Sequence, residues 1–218
     1  MKYKMAKETI AQKKARMNDI LTIAEKNYPK AGIQLLSHTS FQLMVAVILS
    51  AQCTDKRVNT VTEKLFSIYP NPEDYINIEI EELENLIFST GFYRAKAKNI
   101  KAAAQMLIEK YNGIMPNDME NLLTLPGVGR KSANVILGNY YNIPGIVVDT
   151  HVKRLARKMG FVETQNPEKI EFELQKLIEI DKWVIFTHYM IEHGRAICKG
   201  QKPKCELCPF EKLCPKLL

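Results

Sequence analysis

Two glycines separated by one apolar residue, Gly127-Val128-Gly129, stand between two stretches of helical pattern and limit what this chain can fold into more than any other feature. Before them, Asn117 to Leu123 carries an N-cap candidate, early acids and apolar spacing. After them, Lys131 to Tyr140 reads as a second helix, so the unit is helix, tight turn, helix. Several backbone N–H groups of Gly127, Val128, Gly129 and Arg130 then face outward at the positive end of the second helix, a turn that binds phosphate without needing side chains. Lys131 falls in the first helical turn, where the macrodipole and the adjacent Arg130 both disfavour an ammonium. A free lysine has a pKa of about 10.4, and a neutral amine is a nucleophile that forms Schiff bases. The turn alone fits equally a surface lysine that only touches phosphate.

A second candidate is Asp149, which ends the apolar run Ile146-Val147-Val148 and precedes a helical stretch from Thr150 to Gly160. It can cap that helix. Held by helix amides, it also stays ionised and can accept a proton or steady a cationic intermediate, and the two roles are compatible.

With 218 residues, 46% of them hydrophobic, the chain can bury one large or two small cores. A net charge of +7 and a pI near 9.1 favour a polyanionic partner such as nucleic acid, although many basic proteins are simply soluble. The charged segment Met1 to Arg16 has no apolar core of signal-peptide length, and the longest apolar run, Met44 to Leu49, is too short to span a bilayer. These features predict a cytoplasmic protein that makes no use of a membrane and, in a prokaryote, associates with the nucleoid.

Along the chain, helical periodicity predicts helices over 8–27, 41–50, 55–69, 73–77, 80–89, 94–111, 150–160, 167–180 and 183–195. Sustained period-two alternation is absent, so the fold is all-α. Ala51-Gln52-Cys53 forms a loop that presents Gln52 at a helix junction, with Cys53 as a structural thiol. Leu83 to Ile87 before Gly91 echoes Met119 to Leu123 before Gly127 at a spacing of 36 residues, with Ala95 where the later copy has Lys131. The echo hints at two similar hairpins of which one carries the nucleophile; chance likeness between helices is the alternative.

Four of the five cysteines, Cys198, Cys205, Cys208 and Cys214, are spaced C-x6-C-x2-C-x5-C among Pro203, Pro209 and Pro215. That crowding indicates a metal rather than disulfides. A zinc ribbon has two short knuckles separated by a longer stretch, whereas one loop around one centre suits an iron-sulfur cubane better, with zinc still open. His188 and His193 read as packing or hydrogen-bonding groups rather than ligands. Lys199, Lys202, Lys204 and Lys212 make the loop cationic.

Leu49-Ser50-Ala51-Gln52, Leu125 to Lys131, Val148-Asp149-Thr150-His151, His193-Gly194-Arg195 and the four-cysteine loop, in this order over almost the whole chain, resemble the endonuclease III family of helix-hairpin-helix DNA glycosylases and abasic-site lyases. The resemblance implies two helical lobes, 33–143 and 1–32 with 144–218, with double-stranded DNA running between them, a monomer, and a [4Fe-4S] cluster in the loop 198–214. It implies that Lys131 attacks C1′ of a damaged pyrimidine nucleotide or an abasic site, that Asp149 assists proton movement, and that the strand is cut by β-elimination in base excision repair. Gln52 and Phe92 would enter the stack vacated by the extruded base, and His151 would contact DNA. The family more often has leucine where this chain has Phe92, alanine at Cys53 and threonine at Ser132. Two readings stand beside this one. An adenine-specific mismatch glycosylase usually lacks the lysine and carries a further C-terminal domain, and a non-catalytic, metal-stapled DNA-binding module would not need Lys131 and Asp149 together.

Overall fold

In the computed structural model of the protein, residues 8–217 are described; the start of the charged N-terminal segment, 1–7, lies outside them. Among the described residues the regular structure is helical throughout, with no strand, and no helix is long and apolar enough to cross a membrane. Eleven α-helices are assigned among them: α1 Ile10–Asn27, α2 Ser40–Ser50, α3 Asp55–Ile68, α4 Pro72–Asn77, α5 Ile80–Ile87, α6 Tyr93–Tyr111, α7 Met119–Leu122, α8 Arg130–Tyr140, α9 Thr150–Lys158, α10 Pro167–Gln175 and α11 Trp183–Ala196. Short 3-10 turns add to these at Phe88–Thr90, Ile180–Lys182, Cys205–Leu207 and Glu211–Leu213.

The starts are written locally. Thr9, Thr39, Thr54, Asp118, Asp149 and Asn166 each accept a backbone N–H of the first turn, satisfying a donor that the helix cannot. The segment after 167 is shorter than its periodicity predicts. Helix α10 stops at Gln175, where Leu177 and Ile178 both donate N–H to the Leu174 carbonyl, and the Trp183 indole N–H takes the Ile178 carbonyl at 2.9 Å. The apolar spacing continues through the tight turn because both sides of it pack inward.

The chain divides into two compact units, one of Gln34–Ile143 and one of Met1–Ile33 with Pro144–Leu218. In the first, α2 is buried at every position from Phe41 to Leu49, as expected of a helix that is apolar all round, and it packs against α3, α6 and α8. Helix α6 in turn packs against α4 and α5. In the second, Met17, Ile20, Leu21 and Ala24 of α1 join α9, α10 and α11 around a separate core that includes Phe161, Phe186 and Phe210. Arg16 reaches across it. Its guanidinium donates to the Met159 carbonyl at 2.9 Å and the Leu213 carbonyl at 3.1 Å while its other nitrogens take both oxygens of Glu8. A planar fork with five donors is the one side chain that can make all these bonds at once.

Candidate functional site

The glycine turn lies in the first unit, between α7 and α8. Gly127 has φ +82°, a left-handed conformation, and a Cβ there would press on Asn99 of α6, so both backbone and space require glycine. Gly129 differs: its φ of −98° suits any residue, and no protein atom stands within 4 Å of where its Cβ would be. As the N-cap of α8 it offers no side chain to the first-turn amides and leaves the approach to them clear. Val128 departs from the expectation of an outward phosphate-binding amide. Its side chain is in the core and its N–H donates to the Leu125 carbonyl at 3.0 Å, because the turn must close on itself before α8 can start. Arg130 is half-buried at the first residue of α8, and Lys131, the second, is exposed.

The earlier hairpin has the same layout with different chemistry. Helix α5 and the 3-10 turn Phe88–Thr90 lead to Gly91 at φ +71°, and α6 follows. At the position equivalent to Val128, Phe92 is 66% exposed and itself left-handed at φ +49°. Left-handed backbone in a bulky residue is uncommon and sterically costly. Gln52 is also exposed and left-handed, at φ +54°, one residue past the C-cap of α2. Both side chains therefore project from turns whose backbone is strained. Cys53 is half-buried against the core of this unit.

In the second unit Asp149 is the N-cap of α9, and its Oδ1 accepts the Val152 N–H at 2.8 Å. His151, expected to contact DNA, is half-buried and packed on α11. A Cβ at Gly194 would overlap its ring, so the glycine of His193-Gly194-Arg195 is what lets α9 and α11 approach here. Arg154 donates from Nη2 to the carbonyls of Cys198 at 2.7 Å and Gly194 at 3.3 Å and lies 3.1 Å from Nδ1 of His151, joining the Asp149 end of α9 to the cysteine loop. Burial lowers the His151 pKa, with the Asp149 carboxylate acting against it.

All four loop cysteines line a single cavity of about 410 Å³, including its open mouth, together with Lys158, Lys204 and His193. Burial raises the thiol pKa values of Cys198, Cys214 and Cys208, the last to about 11. Four thiols on one cavity are a donor set that fits a metal centre held by four thiolates. His193 is fully buried with its pKa lowered to about 4, mainly by that burial. It is hydrogen-bonded to the Tyr28 hydroxyl through Nδ1 at 2.7 Å, and its Nε2 lies 3.6 Å from the Cys208 sulfur. Lys199, Lys202, Lys204 and Lys212 are all exposed.

Sequence reasoning missed Lys96, which is 4% exposed in α6. The signal was a cation on the apolar stripe formed by Ile100, Ala103 and Leu107.

The chain belongs to the HhH-GPD superfamily of base excision DNA repair proteins, whose family model matches residues 45–179. Within that superfamily its similarity is to endonuclease III. It is 48% identical to endonuclease III of Synechocystis sp. over 207 residues, 94% of each chain, and 38% identical to that of Escherichia coli over 201 residues, 92% of this chain and 95% of the relative. Among solved structures it is similar to a trapped endonuclease III–DNA covalent intermediate, with a TM-score of 0.88, 45% identity and coverage of 92% of this chain and 95% of that one. A thermostable thymine-DNA glycosylase shares the fold at a TM-score of 0.82 and 21% identity over 92% and 95%.

Proposed function

We propose that the protein excises oxidised pyrimidines from double-stranded DNA and cuts the strand at the abasic site, acting as a monomer with Lys131 as the nucleophile. The observation that carries this is an exposed amine in the first turn of α8, two residues after a glycine N-cap with open space where its Cβ would be. The chain is also similar over 92% of its length to a protein solved as a covalent DNA intermediate. Lys131 Nζ, as a neutral amine, forms a bond to C1′ while the bond from C1′ to the base breaks. The sugar ring then opens to a Schiff base, and loss of a proton from C2′ expels the 3′ phosphate. Asp149 accepts a proton released in these steps or steadies the cationic sugar, and its cap bond fixes where the carboxylate points.

Extruding the base costs a few kcal/mol, least where damage already weakens stacking. Gln52 and Phe92, both exposed on strained turns, fill the gap from two sides. Gly127, Gly129 and Arg130 hold backbone phosphate at the start of α8, and the loop lysines add contacts elsewhere on the strand. Cys198, Cys205, Cys208 and Cys214 would hold the [4Fe-4S] cluster, which supplies a cross-link that fixes the cationic loop.

Incubation with duplex containing thymine glycol, followed by borohydride, should trap a covalent adduct that Lys131→Gln abolishes. Binding without adduct in the unaltered protein would overturn the assignment.

A further inference from the structure

Lys96 is a buried cation that the chemistry above leaves unused. Its ammonium donates to the Leu49 carbonyl at 2.8 Å and to the Thr90 carbonyl at 2.9 Å, partners 47 and 6 residues away in sequence, and among the described residues it forms no ion pair. Both acceptors lie at helix C-termini, Leu49 in the last turn of α2 and Thr90 at the end of the 3-10 turn that follows α5. Carbonyls there lack helical partners and carry the negative end of the dipole, which makes them favourable ligands for a cation. Burial alone lowers the Lys96 pKa, and the nearby Cys53 sulfur acts against that shift.

The two carbonyls have one thing in common. Leu49 stands three residues before Gln52, and Thr90 stands two residues before Phe92, so one ammonium bridges the roots of the two strained turns. Left-handed conformations in glutamine and phenylalanine persist only where the surroundings over-determine them. Local bonds help: Cys53 N–H donates to the Ser50 carbonyl, Lys96 N–H to the Phe92 carbonyl, and the Thr90 hydroxyl to the Ile87 carbonyl. None of these connects one turn to the other. The Lys96 side chain does, and it comes from the first turns of the helix that Phe92 opens.

We propose that Lys96 is a positioning residue for duplex distortion, holding the Gln52 and Phe92 turns in fixed register so that both side chains enter the base stack together. This rests on the reading of those two residues as inserting groups. Lys96→Met keeps most of the stem's volume and removes both bonds. Excision of thymine glycol from duplex, which requires insertion, should then fall on the order of 10- to 100-fold, mainly in kcat. Cleavage of a single-stranded oligonucleotide carrying an abasic site, which has no stack to fill, should fall far less, so the ratio of the two rates is the readout. Gln52→Ala and Phe92→Ala should each cost the unaltered protein more than they cost the Lys96→Met protein, because the register they depend on is already lost. Lys96→Arg, which can still donate to both carbonyls, should restore part of the ratio. If Lys96→Met does not fold, Lys96→Gln is measured in its place.

Equal loss on both substrates, or losses that multiply across the double variants, would overturn the inference. An unaltered protein that traps neither substrate with borohydride would overturn the parent reading, and this inference with it.

Discussion

Asp149 is both the cap of α9 and the proposed partner of the chemistry, and two substitutions separate these roles. Asp149→Asn keeps an oxygen to accept the Val152 N–H at 2.8 Å and removes the charge. Asparagine and aspartate are about equal as N-caps, so the change in folding stability should be close to zero. Asp149→Ala removes the cap as well, which costs about 1 kcal/mol and, for a chain of this length, lowers Tm by about 2 to 4 °C. Loss of one preorganised group facing developing charge slows a reaction by about 100- to 1000-fold, or 2.7 to 4 kcal/mol. Single-turnover excision of thymine glycol should thus slow by at least about 100-fold in both variants, while only the alanine protein loses Tm. DNA affinity should stay within about threefold in the asparagine protein, since the proposed phosphate contacts come from elsewhere. Rates that track Tm, with the asparagine protein near full activity, would show that the carboxylate only caps the helix.

The Arg16 hydrogen bond, opposed by burial, holds the Glu8 carboxyl below its ordinary 4.5. A lowered folded-state pKa contributes stability that is whole above the unfolded value and is lost as pH falls through the folded one. Glu8→Gln should therefore lie below the unaltered protein in Tm at pH 6, and the gap should close on acidification below about pH 4.5; a constant gap would place the stabilisation elsewhere. Gly194→Ala drives a methyl into the His151 ring, and overpacking of this kind costs about 1 to 3 kcal/mol, read as a Tm loss in thermal melts. An unchanged Tm would show that α9 and α11 can part without cost. Cys208→Ser should reduce iron and acid-labile sulfide per chain and the brown absorbance together, whereas stoichiometric zinc in the unaltered protein would refute the cluster.

Helix starts were legible because their code is local: Asp149, read from the sequence as a cap, lies within three residues of the amide it satisfies. The glycine turn was legible for the same reason, since a left-handed φ at Gly127 follows from how α7 and α8 must meet. The end of α10 was not, because periodicity is blind to a tight turn whose two sides both pack inward. The echo between the hairpins at Gly91 and Gly127 predicted their common layout. It said nothing of which following residue would be buried, and Val128 went to the core while Phe92 went to solvent.

By itself the order of residues determined an all-helical chain, the places where its helices start, the lysine behind the glycine turn and the four thiols of one loop. Packing alone decided that the Val128 amide is spent inside its turn, that His151 rests on Gly194, that Arg154 joins α9 to the cysteine loop, and that Lys96 bridges two turns. The reason is range. A cap or a turn is settled by atoms a few residues apart, whereas the partner of a buried cation 47 residues away exists only once the helices that carry both have closed around it.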